Sequence, residues 1–116
     1  MKFELPWPPS VNRYYRHVGP RVLLSREGRN YRMMCVSRLG GTCPKLSGRL
    51  MLSGDFYPPD ARRRDLDNLL KCTLDTLVHA GLLEDDSQIN HIDIRMRDPV
   101  PPDGLVYLEL KELNHA

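Results

Sequence analysis

Arg62-Arg-Arg-Asp-Leu-Asp-Asn-Leu-Leu-Lys-Cys-Thr-Leu-Asp-Thr-Leu-Val-His-Ala-Gly81 is the stretch whose reading decides the fold. Leu66, Leu69, Leu70, Leu74, Leu77 and Val78 recur at intervals of three and four, the period of a helix with one apolar face. Gly81 suits the residue just past its end, where a left-handed backbone is needed. Asp65 falls at or near the N-cap, and Asp67 and Lys71, four apart, share the face away from the leucines. Two more acids, Asp85 and Asp86, follow the helix. Hard divalent cations such as Mg²⁺ take oxygen ligands, keep several waters, and are usually held by one or two carboxylates together with substrate phosphate. Three arginines directly before the acids suit a polyanion, because a guanidinium forks onto phosphate oxygens and stays charged. The stretch therefore reads as metal-assisted chemistry on phosphate, with a nucleic acid as leading substrate.

Moving outward, alternation predicts strands on either side. Gly48 to Tyr57 sets Leu50, Leu52 and Phe56 against Arg49, Met51, Ser53 and Asp55 and stops at Pro58-Pro59. Gln88 to Met96 sets Ile92, Ile94 and Met96 against His91, Asp93, Arg95 and Arg97. A proline-rich turn from Asp98 leads to a closing strand over Gly104 to Leu113. Towards the N-terminus, Ser25 caps a helix over Arg26 to Leu39 that ends at Gly40-Gly41, its stripe formed by Tyr31, Met34, Cys35 and Leu39. Arginines 26, 29, 32 and 38 lie off that stripe, a face suited to a DNA backbone or to plain solvation. Lys2 to Trp7 alternates, and Pro6, Pro8 and Pro9 confine it to a short edge strand. Ser10 to Arg16 reads as a polar loop whose two tyrosines suit base stacking or core packing equally. The order β, α, β, α, β, β predicts an α/β (α+β) fold, a small mixed sheet of about four strands with two main helices, in one domain over residues 1–116.

Net charge is +2, but its distribution is uneven. Residues 1–64 hold 13 Lys and Arg against 4 acids, and residues 65–116 hold 4 against 11. Such asymmetry fits nucleic-acid contact, and it also fits two halves paired in a solvated surface. Cys35, Cys43 and Cys72 form no CxxC pair and lack histidine partners at zinc spacing, so neither a disulfide frame nor structural zinc is expected. No apolar h-region opens the chain and no 18 apolar residues run together, so a cytoplasmic protein without membrane contact or organic cofactor is expected. His17, His79 and His91 belong to no constellation, and Glu84 reads as a solvated loop acid. Lys71 suits stabilisation of transition-state charge, and equally an i, i+4 salt bridge with Asp67 worth about 0.3 to 0.5 kcal/mol.

The phrase Arg62-Arg-Arg-Asp-Leu-Asp-Asn-Leu-Leu-Lys71, then Asp75 and Ala80-Gly-Leu-Leu-Glu-Asp-Asp-Ser-Gln-Ile89, resembles the RusA family of Holliday junction resolvases. So does the opening Leu5-Pro-Trp-Pro-Pro-Ser-Val-Asn-Arg-Tyr-Tyr-Arg16. The resemblance implies a small Mg²⁺-dependent endonuclease that acts as a homodimer on four-way DNA junctions in recombination and repair, nicking two strands of like polarity symmetrically. It implies that Asp65, Asp67 and Asp86 are the catalytic and metal-binding acids, with Asp85 as a weaker metal ligand and Lys71 as the catalytic lysine. It also implies that Arg62, Arg63 and Arg64, with Asn12, Arg13, Tyr14 and Arg16, meet DNA. Ala61 stands where the family can carry a fourth basic residue, and the segment between Gly40 and Gly48 does not align. Two other readings remain: a junction-binding protein without catalysis, and a Mg²⁺-dependent nucleotide phosphohydrolase.

Overall fold

Alternation and helical periodicity place six strands and three helices in a computed structural model that describes residues 1–39 and 45–113. In chain order they are β1 (Lys2–Leu5), α1 (Val11–Tyr14), β2 (Tyr15–Val18), β3 (Arg21–Leu24), α2 (Arg26–Leu39), β4 (Leu50–Tyr57), α3 (Leu66–His79), β5 (Ile89–Met96) and β6 (Leu105–Glu112), with a 3₁₀ turn at Asp86–Gln88. The fold is α+β. A four-stranded sheet runs in the order β1-β6-β4-β5, and β2-β3 form a separate hairpin. β4 and β5 are parallel, joined through α3, whereas β6 is antiparallel to both β4 and β1. A parallel pair needs a crossover of this kind, and α3 supplies it.

The sheet is apolar on one face only. Leu52, Phe56, Val106, Leu108 and Leu110 fall in register on that face with Leu5 of β1, and all are buried. Leu69, Cys72 and Leu77 of α3 and Tyr31 and Cys35 of α2 cover them. The opposite face carries Ser53, Asp55, Tyr107, Glu109 and Lys111. Gly54 sits in the middle of β4, where a Cβ would lie 2.2 Å from the carbonyl oxygen of Tyr107 on β6. That closeness explains a glycine inside a strand that otherwise favours larger residues.

The helix boundaries follow local chemistry. Ser25 caps α2 as expected, its Oγ accepting from Gly28 N at 2.9 Å and donating to Tyr14 O at 2.9 Å. α3 ends in a Schellman motif: Gly81, at φ +85°, donates to Val78 O, and Leu82 donates to Leu77 O. The glycine stop expected for α2 at Gly40-Gly41 lies outside the described residues, as does Cys43.

Two expectations need correction. Ser10–Arg16 is not a plain loop: Val11–Tyr14 make one helical turn and Tyr15–Val18 open the β2-β3 hairpin, so the four strands of the main sheet were legible but this addition was not. The hairpin pairs Tyr15 with Leu24 and Val18 with Arg21, and its short strands bury too little to leave an alternating pattern. Met34, assigned to the buried stripe of α2, is exposed.

Candidate active site

β4 ends at Tyr57, and Pro58 and Pro59 turn the chain towards the arginine run. Asp60 then fixes the run's shape. Its Oδ1 accepts from the backbone N–H of Arg62 at 3.0 Å and pairs with Arg64 Nη1 at 2.9 Å. Arg64 Nη1 also donates to the carbonyls of Asp60 and Arg62, and its guanidinium lies 5.6 Å from the centre of the Trp7 ring. The hydrogen bond from Arg64 and that from the Arg62 backbone hold the Asp60 carboxyl below its ordinary range. Arg64 is thus committed to holding the turn, whereas Arg62 and Arg63 project into solvent. The Arg62 guanidinium has one long contact among the described residues, 3.7 Å to Asp60.

The acids follow. Asp65 is the N-cap of α3 with an extended backbone (φ −94°, ψ 126°), yet its side chain caps no backbone N–H. Asp67 stands in the first turn. Both carboxylates are exposed, and neither forms an ion pair among the described residues. Two unpaired anions at a helix start are favoured by the macrodipole but repel one another, which suits a site that receives a cation.

Past α3 the paired acids differ. Asp85 caps the 3₁₀ turn: its carboxylate accepts from Ser87 N at 3.0 Å, and Gln88 Oε1 accepts from Asp85 N at 3.1 Å. The hydrogen bonding from Ser87 holds the Asp85 carboxyl below its ordinary value. Gln88 Nε2 in turn donates to Leu46 O and Gly48 O, fastening the loop to the approach to β4. Asp86, next to this clamp, is exposed and unpaired among the described residues. It lies within electrostatic reach of the Tyr15 hydroxyl, whose pKa is raised first by burial and then by Asp75, Cys72 and Asp86. Lys71 Nζ sits 5.7 Å from the centre of the same ring. Lys71 therefore lies over Tyr15 and forms no salt bridge with Asp67.

A cleft of about 900 Å³ brings the two sequence blocks together. Arg13 and Ser10 from the N-terminal segment face Arg63, Arg64, Asp65 and Asn68 across a floor that includes Trp7, Tyr31 and Leu69. Asp67, Lys71 and Asp86 do not line it. Among the described residues, no group of three or more His, Cys, Asp and Glu side chains is close enough to hold a metal ion. Asp65 and Asp67 stand at the start of the 14-residue α3 and Asp86 follows its end in the chain.

Tyr14 corrects the DNA-contact set, because it is fully buried. Its hydroxyl donates to Asp75 Oδ2 at 2.5 Å and accepts from Arg32 Nε at 2.7 Å, and Arg32 Nη2 reaches the same Asp75 oxygen at 2.5 Å. Burial first, and Asp75 second, push the Tyr14 hydroxyl up to about 12. This knot ties α1, α2 and α3 together, and neither Arg32 nor Asp75 had been given that role from sequence. The available signal was Asp75 itself, an acid on the turn after Lys71. Asn12, Arg13 and Arg16 are exposed, with Arg13 3.6 Å from Glu27. His17, His79, His91 and Glu84 are exposed and join no metal-holding cluster among the described residues. Cys35 and Cys72 are buried free thiols raised by burial to about 11, inert core residues as expected of Cys72. No helix among the described residues is long and apolar enough to cross a membrane.

Fold and site together define a class: a small α+β protein whose cleft sets the exposed Asp65 carboxylate beside the guanidinium groups of Arg13, Arg63 and Arg64, with Asp67 two residues further along. The chain matches the family model described as "Endodeoxyribonuclease RusA" over residues 6–104, and it belongs to that family. It is 39% identical to the crossover junction endodeoxyribonuclease RusA of Enterobacteria phage HK97 over 114 residues, 97% of this chain and 94% of the relative. To the protein of the same name from Escherichia coli (strain K12) it is 41% identical over 115 residues, covering 96% and 93%. The RusA of Enterobacteria phage 82 is 40% identical over 114 residues.

Proposed function

We propose that this chain is a Mg²⁺-dependent, structure-selective endodeoxyribonuclease that resolves four-way DNA junctions as a homodimer by paired symmetrical nicks, in recombination and repair. The observation that carries the reading is the pair of exposed carboxylates, Asp65 and Asp67, without an ion pair among the described residues, at the start of α3, directly behind an arginine run, in a chain about 40% identical to crossover junction endodeoxyribonucleases over nearly its whole length. The donor set fits Mg²⁺: hard oxygens, exposed to water, with the Asp65 side chain making no competing cap bond. Asp65, Asp67 and Asp86 would hold the ion, and Asp85, already occupied by Ser87 N, contributes least. When bound, the cation lowers the pKa of a water and compensates charge on the leaving 3′ oxygen.

The chain's own side chains do the rest. Arg62 and Arg63 meet the phosphates on either side of the cut, with Asn12, Arg13 and Arg16 extending the contact along the backbone. Arg64 positions that turn through Asp60 and Trp7 rather than by reaching DNA. Lys71, held over Tyr15 and free of Asp67, stabilises the negative charge gained at phosphorus. A homodimer matches the two-fold symmetry of a junction. It would also allow a second copy to add a carboxylate to a site where, among the described residues of one chain, no three acids gather. A cytoplasmic location accords with a DNA substrate and reduced cysteines.

The test is to incubate the protein with a synthetic mobile four-way junction, linear duplex or dNTPs, with Mg²⁺ or EDTA, alongside Asp67→Asn. Paired nicks in the junction, lost in the substituted protein while junction binding persists, are the expected result. Binding without nicks under any metal would make it a non-catalytic junction protein. Hydrolysis of dNTPs alone would make it a nucleotide phosphohydrolase.

A further inference from the structure

β5 ends the sheet with its outer edge unpaired among the described residues, eight residues long and flat against nothing. A long open edge offers a row of free N–H and C=O groups to another strand. Here the orientation of that row is fixed. Arg97 N donates to Phe56 O of β4, so by the two-residue period the odd-numbered residues turn their backbone towards β4 and Ile92, Ile94 and Met96 turn theirs outward. The same three side chains continue the apolar face beyond the core, and Ile92 and Met96 remain 43% and 36% exposed. On the opposite face, Asp93 and Arg95 are exposed and form no ion pair among the described residues.

We infer that the edge of β5 pairs antiparallel with the β5 edge of a second copy of this chain, about a two-fold axis through Ile94, joining two four-stranded sheets into one. The inference rests on the homodimer of the preceding reading and names its interface. Charge selects the register. With the axis at Ile94, each Asp93 faces the partner's Arg95 in a non-hydrogen-bonded pair, where side chains approach most closely. Ile92 faces the partner's Met96 on the apolar side. Moving the axis one residue towards the N-terminus sets Asp93 against the partner's Asp93, and one residue the other way sets Arg95 against the partner's Arg95. Both alternatives bring like charges together, and the hydrogen bonds distinguish none of the three. A self-complementary strand of this kind is what an isologous contact needs.

The experiment measures the dimer dissociation constant of the full chain by sedimentation equilibrium for the wild type, Asp93→Arg, Arg95→Asp and the double exchange. Each single reversal turns two symmetry-related attractions into repulsions, and should weaken the dimer about tenfold to a hundredfold. The double exchange restores opposite charges and should return to within about threefold of the wild type. Circular dichroism of each variant separates loss of the dimer from loss of the fold. A second variant, Asp93→Cys with Arg95→Cys, should give a covalent dimer on mild oxidation, with residue 93 of one chain joined to residue 95 of the other. A wild-type monomer at micromolar concentration, or a dimer indifferent to all three charge variants, would overturn the interface. Junction nicking is scored separately on the wild type: a charge-dependent dimer that nicks nothing refutes the nuclease and leaves the interface standing.

Discussion

Tyr14→Phe removes a single oxygen from the knot that ties α1, α2 and α3. That oxygen donates to Asp75 at 2.5 Å and accepts from Arg32 at 2.7 Å, and the ring that carries it is fully buried. Hydrogen bonds to charged groups contribute about 1.5 to 3 kcal/mol. The Asp75 side chain keeps 35% of its exposure and Arg32 keeps 23%, so water recovers part of what is lost, and the direct Arg32–Asp75 pair remains. A net cost of about 1.5 kcal/mol follows. With an unfolding entropy of about 2.1 cal/mol/K per residue over 116 residues, Tm should fall by about 6 °C. Asp75→Asn removes the carboxylate from Arg32 and from the tyrosine together, and should cost about 1 to 2 kcal/mol. Because the three groups share their bonds, the double variant should cost about 1 kcal/mol less than the two single costs together. Urea unfolding of the four proteins gives the cycle directly. A Tyr14→Phe protein that melts with the wild type, or two strictly additive costs, would refute the view that these helices are tied through one shared network.

Lys71→Met should lower kcat for junction nicking by about a hundredfold to a thousandfold with little change in KM, as expected for a charge used in the transition state; an unaltered kcat in single-turnover assays would return Lys71 to a packing role on Tyr15. Junction affinity should fall linearly on a log–log plot against salt, and Arg63→Ala should reduce the slope by about one; titrations at several ionic strengths would contradict the contact if the slope did not move. The chain should also lose stability in alkali. Tyr14 is raised from 10.0 to about 12, and Cys35 and Cys72 from 9.0 to about 11, so each favours the folded state while protonated. Their contribution is complete below about pH 9 and disappears as pH rises through 11 to 12. Urea midpoints that stayed level across that window would argue against the burial of these groups.

Sequence by itself determined the elements whose signal is periodic. The leucines of α3 recur every three or four residues and the strands alternate every two, because a face that is buried must be apolar whatever covers it. Gly81 and Ser25 were legible for the same local reason, since a left-handed terminus and an unsatisfied first turn each demand particular side chains. The acids and arginines were legible as a group by their adjacency. Tertiary structure alone decided what each of them does. It committed Arg64 to holding a loop and Asp85 to capping a 3₁₀ turn, left Arg63, Asp65, Asp67 and Asp86 without an ion pair among the described residues, and set Lys71 on Tyr15 instead of Asp67. It buried Tyr14 against Arg32 and Asp75, residues 18 and 61 positions away. Such partners are chosen by how α1, α2 and α3 meet over the sheet, and contacts between residues so distant along the chain impose no period on the sequence that could announce them.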